Sequence, residues 1–249
     1  MAELLVELLS EEIPARMQRQ AAQDFARLVG DRLKASALGA LSVTCHVTPR
    51  RIVLTADGIP LKQPDRQEER RGPRVGAPDK AIQGFLGASG LASIDECEIR
   101  EVKGAQFYFV VRSIAGQDAK SVLPDVIADS ILAIPWPKSM RWGDSERRYV
   151  RPLQRVSAVF DRLKLDGAVG FCGAAGRKDY VDRTIGHRFM ADDEEIPLTD
   201  IENFKNDLRA AFVILDPAER KAKIEAGLAA VAADLGYTVR PDPGLLDEV

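Results

Sequence analysis

The chain opens on a short apolar run, Leu4 to Leu9, broken only by Glu7 and bounded by Ser10-Glu11-Glu12. A run this short and this apolar predicts a strand buried on both faces. Pro14 follows at a position proline tolerates, the first turn of a helix. Met17, Ala21, Phe25, Leu28 and Leu33 then recur at three- to five-residue steps, which predicts a helix from Pro14 to about Ser36 with one apolar stripe for core packing. Leu41, Val43, Cys45 and Val47 alternate with Ser42, Thr44 and His46, the period of a half-buried strand with His46 on its polar side. Thr48-Pro-Arg-Arg51 makes the turn, and Ile52 to Ala56 the returning strand.

The pattern then lapses. Gly58 to Gly76 holds Pro60, Pro64 and Pro73 and the run Asp65-Arg-Gln-Glu-Glu-Arg-Arg71, with no apolar period. It reads as a surface loop or linker. Beyond it, Pro78 to Ser89 predicts a short helix with Ala81, Ile82, Phe85 and Leu86 inward. Glu98 to Val102 and Gln106 to Arg112 predict a hairpin around Lys103-Gly104. Ser121 to Ala133 predicts a helix stopped by Ile134-Pro-Trp-Pro137. Val156 to Phe160 and Leu163 to Phe171 predict strands about a Gly-rich turn. Thr199 to Ala210 predicts a helix capped by Thr199 with Glu202 completing a capping box. Phe212 to Leu215 predicts a brief strand. Pro217 to Leu235 predicts a long amphipathic helix with Gly236 past its end.

Strands and helices alternate without a regular βαβ rhythm, which places the fold in the α+β class. The lapse gives four parts: residues 1–60 as a strand-helix-hairpin unit, 61–76 as linker, 77–215 as the main α+β domain, and 216–249 as a helix leading onward.

Composition changes this picture little. With 45% hydrophobic and 29% charged residues, the 249-residue chain is ordinary globular material that can bury a core. Its net charge of −3 requires any phosphate-binding surface to be a local patch. Cys45, Cys97 and Cys172 are too few and too far apart for a disulfide scaffold or a zinc knuckle. No basic n-region precedes the opening run and no apolar stretch approaches a membrane span, so the expectation is a cytoplasmic protein with no membrane partner.

Catalytic signatures are missing. There is no phosphate loop, no dinucleotide fingerprint and no nucleophile elbow. The two histidines, His46 and His187, are too few for a multi-histidine metal site. Gly84-Phe-Leu-Gly87 and Gly170-Phe-Cys-Gly173 are lone glycine pairs suited to packing, and Asp192-Asp-Glu-Glu195 reads as a solvated turn. The chemistry concentrates instead between Trp136 and Arg155, which carry six Lys/Arg against two acids, both tryptophans of the chain and Tyr149. Cations neutralise phosphates and aromatic rings stack on unpaired bases. Two readings stand at this point. Either the segment touches RNA, or the tryptophans anchor a core and the arginines form surface ion pairs.

Several blocks together resemble one family. They are Leu5-Val-Glu7 with Ser10-Glu-Glu-Ile-Pro14, Thr48-Pro-Arg-Arg51, Gly72-Pro73 with Ala81 and Gly84-Phe85, Pro135-Trp-Pro-Lys-Ser-Met-Arg-Trp-Gly143, Tyr149-Val-Arg-Pro152, and Thr184-Ile-Gly-His-Arg-Phe189. Their order and spacing are similar to the beta subunit of bacterial two-subunit glycyl-tRNA synthetase. The resemblance runs from about Leu4 to the end and covers the first third of a family subunit. It implies a piece of a longer subunit, or a truncated or split gene product, without the helical and anticodon-binding regions that follow. Departures are Leu9-Ser-Glu-Glu-Ile-Pro14, where the family usually has Gly-Thr-Glu-Glu-Leu-Pro, and Gln154-Arg155, where it commonly has histidine and tryptophan.

The resemblance further implies an alpha subunit as partner, which carries the site that activates glycine with ATP and magnesium, and glycine tRNA as the nucleic acid bound, not DNA. It implies a fold similar to the editing-type domain of the phenylalanyl-tRNA synthetase beta subunit. No catalytic residue, metal or cofactor is assigned to this part. The candidates for RNA contact are Lys138, Arg141, Trp142, Arg148 and Arg151, with the cations on phosphate and Trp142 stacking. Arg50, Arg51, His187 and Arg188 form a second set. The alternatives are a scaffold region without RNA contact and a hydrolase that clears mischarged tRNA.

Overall fold

A computed structural model describes residues 2–142, 147–170, 176–192 and 194–248. The chain begins with β1 (Ala2–Ser10), α1 (Ala15–Ala35), β2 (Ser42–Thr48) and β3 (Arg51–Ile59). It continues through β4 (Arg66–Arg74), α2 (Asp79–Ser89), a single 3-10 turn, β5 (Glu98–Val102) and β6 (Ala105–Ile114). Next come α3 (Ala119–Leu132), β7 (Leu153–Phe160), β8 (Leu163–Lys164), β9 (Ala168–Gly170), β10 (Arg177–Val181), β11 (Arg183–Ile185) and β12 (Glu195–Pro197). Helices α4 (Ile201–Ala210), α5 (Pro217–Asp234) and α6 (Pro243–Glu248) end it. The chain divides into two compact units: Met1–Leu61 with Asp118–Val249, and Lys62–Gln117.

The larger unit is built on a sheet in the order β2-β3-β1-β7-β10-β9, with β8 paired to β7. All its pairings are antiparallel except β7 with β10. Strand β1 sits between β3 and β7, and this explains its apolar run: both faces are covered. Leu4, Val6 and Leu8 face a cluster that includes Phe25, Val29 and Leu33 of α1 and Leu123, Ile127 and Ile131 of α3. Leu5 faces the opposite side, with Val53, Val159, Phe204 and Leu208 of α4, Leu198, Val213 and Leu215. Helices therefore cover the sheet from both sides, one pair against the first face and α4 against the second.

The smaller unit is a three-stranded antiparallel sheet, β4-β6-β5, supported by α2. The β5–β6 turn has positive φ at both Lys103 (56°) and Gly104 (76°), the signature of a type I′ hairpin. Strand β4 overturns the expectation of a linker over 61–76. Its residues are mostly charged and exposed, so no apolar period marks it. It is held by pairing with β6 and by Arg71, whose guanidinium lies 3.6 Å over the Phe107 ring. The unit also takes in the first part of the expected 77–215 domain.

Other expectations need correction. Leu41 lies outside β2 and is exposed. The β7–β8 turn is formed by Asp161 and Arg162, both at positive φ, without glycine. The cap of α4 is Asp200, whose carboxylate accepts from Asn203 N at 3.0 Å, rather than Thr199. Phe212–Leu215 pairs with no strand; Val213 and Leu215 simply turn inward. Helix α5 buries none of its residues, although its pattern is amphipathic. Phe171, Cys172, Gly173 and Asp193, named in the sequence patterns above, lie outside the described residues.

Candidate nucleic-acid interface

One end of the large sheet gathers several of the blocks that the sequence singles out. Antiparallel pairing sets the end of β1 beside the starts of β3 and β7, with Leu9 opposite both Arg51 and Arg155. The loop after β1 is stitched to its neighbours by backbone bonds: Ser10 N donates to Arg50 O (2.9 Å), Ile13 N to Pro49 O (2.6 Å) and Glu11 N to Pro152 O (3.1 Å). Ser10-Pro14, Thr48-Arg51 and Tyr149-Arg155 thus form one surface.

Beneath that surface lies a buried polar node. Thr48 Oγ1 accepts from the backbone N–H of Arg50 (3.3 Å) and Arg51 (3.0 Å), which shapes the turn and aims the two arginines differently. Arg51 points inward. Its Nε donates to Glu7 Oε1 at 2.9 Å, and its Nη2 donates to the carbonyls of Ile185 and Gly186. Ser157 Oγ lies 3.5 Å from Glu7 Oε2 and donates to Arg183 O at 2.8 Å. Burial raises the Glu7 carboxyl above its ordinary range, and the Arg51 charge opposes that rise. With Arg51 Nη2 on two backbone carbonyls and Ser157 Oγ beside Glu7, the buried pair is a tertiary clamp tying β1, β3 and β7 to the 183–186 segment. Arg51 is 4% exposed, so it leaves the set of phosphate-binding candidates. Glu7 was the missed member; the one acid inside an apolar strand was its signal.

Arg50 is half-buried, with Nε on Ser10 O (3.3 Å) and Nη2 on Gln154 Oε1 (3.0 Å). Glu11 bonds Gln154 and lies 3.9 Å from Arg50. Gln154 therefore orders this corner as a neutral linker.

The basic aromatic segment leaves and re-enters the same end. Met140 and Tyr149 exchange both backbone bonds (2.8 and 3.1 Å), which brings these two positions together; residues 143–146 lie outside the described residues. The tryptophans turn inward. Trp136 meets the buried Tyr149 edge-on at 5.0 Å, and Trp136 and Trp142 both pack against the larger core. Trp142 is half-buried there rather than presented as an open stacking platform. The cations turn outward: Lys138, Arg141 and Arg148 are exposed and Arg151 half-exposed. Arg148 bonds Ser139 Oγ (3.0 Å) and Ser139 O (2.7 Å), and Arg151 bonds Val150 O (2.8 Å). Among the described residues, no carboxylate pairs with any of these four. Among the described residues, the bonds of Arg148 and Arg151 go to neutral oxygens, which leaves their charge for an anion.

His187 and Arg188 occupy a separate turn. His187 Nδ1 accepts from the backbone N–H of Phe189 and Met190, both at 3.2 Å, so the ring serves as a local cap. Arg188 lies 3.8 Å from Glu12 and stacks over Phe189 at 4.7 Å.

A cleft of about 650 Å³ lies elsewhere in this unit, lined by residues of α1, β2, α5 and α6 that include Arg16, Arg19, Arg220 and Lys221, and Asp247 of α6 pairs with Lys221 there. No described helix is long and apolar enough to cross a membrane.

Residues 4–249 match the family described as glycyl-tRNA synthetase beta subunit. The whole chain is 45% identical to the glycine–tRNA ligase beta subunit of Rhodospirillum centenum and spans 37% of that protein. It is 40% identical to the glycine–tRNA ligase beta subunits of Paracoccus denitrificans and of a Ruegeria species, spanning 36% of each.

Proposed function

Since the chain belongs to the glycyl-tRNA synthetase beta subunit family, we propose that it forms the N-terminal part of a glycine–tRNA ligase beta subunit and supplies a phosphate contact to the tRNA. On this reading it is a non-catalytic part of a cytoplasmic aminoacyl-tRNA synthetase. Activation of glycine with ATP and magnesium belongs to the alpha subunit, and this chain holds no cofactor of its own. The supporting observation is the division of labour in the Trp136–Arg151 loop. Its tryptophans pack inward while Lys138, Arg141, Arg148 and Arg151 face solvent without a described carboxylate partner. A packed aromatic base holds the loop in place, and a local cationic patch on an acidic chain is what a phosphate backbone selects.

A likeness to the editing-type domain would be one of fold alone, and fold does not establish hydrolysis. The test is binding of the chain to glycine tRNA and to an unrelated tRNA across a salt series. Salt-sensitive binding, weakened by Lys138→Ala and Arg141→Ala with folding intact, is the expected result. A well-folded chain that binds no tRNA at low salt overturns the proposal.

A further inference from the structure

Helix α5 runs for 18 residues and buries none of them. A helix of that length is marginal in water without tertiary contacts. Its first turn has them. Asp216 Oδ1 accepts from Ala218 N (2.8 Å), and Arg220 donates to the carbonyls of Ile214 (2.9 Å), Leu215 (3.1 Å) and Val47 (2.8 Å). Pro217, Arg220, Lys221 and Ile224 line the cleft shared with α1 and β2. Beyond Ile224 that support ends: every position from 225 to 235 is exposed except the half-buried Ala232.

The unsupported part is also the apolar part. Ile224, Leu228, Val231 and Leu235 follow at steps of four, three and four residues, so they share one stripe of the helix. Leu228 is 50% exposed, Val231 60% and Leu235 65%. The stripe is about 16 Å long. Between its ends the charged residues are Glu225 and Asp234, and alanines fill most other positions. A helix side meant for water carries charges instead. The far end is closed by a Schellman arrangement: Gly236 takes φ of 72°, its N–H donates to Ala233 O (3.1 Å), and Tyr237 N donates to Ala232 O (2.7 Å). Tyr237 and Val239, both exposed, continue the apolar surface past the cap.

Charge and chain length indicate what covers this face. Lys223 is the one base between Ala222 and Val239, so a phosphate backbone finds little to bind there. An exposed aliphatic face of this kind fits protein. The chain spans 36–37% of the beta subunits it matches, so most of such a subunit lies outside it. On the beta-subunit reading above, that part follows residue 249. Helix α6, just before it, is held at the base of α5, where Asp247 pairs with Lys221 and lies 3.8 Å from Arg19. A polypeptide tethered at the base of a helix meets its stripe at a high effective concentration, an advantage that a separate subunit lacks.

We infer that the stripe of Ile224, Leu228, Val231 and Leu235 is the docking face for the part of the beta subunit that follows residue 249. The inference rests on the beta-subunit reading, but not on tRNA contact. The experiment places a cysteine on the face, Val231→Cys, and measures its rate of maleimide labelling. The 249-residue chain is compared with the full-length beta subunit that begins with this sequence, and wild type is the blank for Cys45, Cys97 and Cys172. The expected result is fast labelling in the 249-residue chain and labelling at least tenfold slower in the full-length subunit with no partner added. Leu228→Lys, added to Val231→Cys, is expected to leave the melting temperature of the 249-residue chain unchanged, since Leu228 is exposed there. In the full-length subunit it is expected to bring the labelling rate back towards that of the short chain. Equal rates in the short and full-length proteins overturn the inference, and so does protection undiminished by Leu228→Lys. Protection that appears only when the alpha subunit is added, or protection of the short chain that fades on dilution, assigns the face to another occupant and overturns it equally. A protected face in a subunit that binds no tRNA leaves the inference standing and removes the tRNA proposal instead.

Discussion

Arg51 Nε and Glu7 Oε1 meet at 2.9 Å with both side chains closed to solvent, 5% and 0% exposed. The two partners respond differently to loss of the other. A buried carboxylate can escape its charge by taking a proton, whereas a guanidinium stays charged across the accessible range. Burial already holds the Glu7 carboxyl above its ordinary value. A carboxyl raised in the folded state stabilises fully below its unfolded value of about 4.3 and loses that contribution as pH rises through its folded value. In Arg51→Met the opposing cation is gone and the rise is larger. Urea midpoints are expected to show a greater loss near about pH 8 than near about pH 5 for this variant. Glu7→Leu is expected to lose about 3–5 kcal/mol, and because it removes the group whose contribution fades with pH, its deficit relative to wild type is expected to shrink as pH rises through the folded value of Glu7. A loss in Arg51→Met that does not depend on pH would show that Glu7 is not the group left exposed to the change.

Gly186→Ala places a methyl group against Ala211 and Ala191. Overpacking of this kind costs about 1–3 kcal/mol. Ala211→Gly in the same chain vacates the nearer contact and is expected to restore part of the loss, since the two sites share one space. Denaturant midpoints of the single and double variants measure this coupling.

Asp200 and Thr199 separate two possible caps of α4. The carboxylate of Asp200 accepts from Asn203 N, and that bond holds its carboxyl below the usual range. Asp200→Ala is expected to cost about 0.5–2 kcal/mol at neutral pH. A carboxyl lowered in the folded state contributes above its unfolded value of about 3.9 and loses the contribution as pH falls through its folded value. The gap between wild type and Asp200→Ala should therefore narrow in acid. Thr199→Ala is expected to stay within about 0.5 kcal/mol of wild type.

For the basic loop, each true phosphate contact removed should lower the slope of log affinity against log salt by about one. Lys138→Ala and Arg141→Ala are expected to do so additively. Arg51→Met should leave the slope unchanged once folding is controlled, because Arg51 is turned away from solvent.

What the sequence determined by itself was whatever repeats along it. The buried strand at Leu4–Leu9, the stripe of α1, the β5–β6 hairpin and the inward alternation of Val43, Cys45 and Val47 follow from local period and turn chemistry. The blocks of the family were legible for the same reason, as fixed strings. Tertiary structure decided what depends on partners distant in the chain. Strand β4 carries no apolar period because its support comes from pairing with β6. Arg50 and Arg51 are neighbours of equal charge, and only the arrangement of β1, β3 and the 183–186 segment sends one to Gln154 and the other to Glu7. The same holds for the basic loop, where composition placed tryptophans and cations together but only the packing against Tyr149 and the core turned them to opposite sides. Periodicity records the burial of a local face, whereas the choice between pairing, solvent and a buried countercharge is made by residues distant in the chain, 44 positions away for Glu7 and 135 for Gly186 in the case of Arg51.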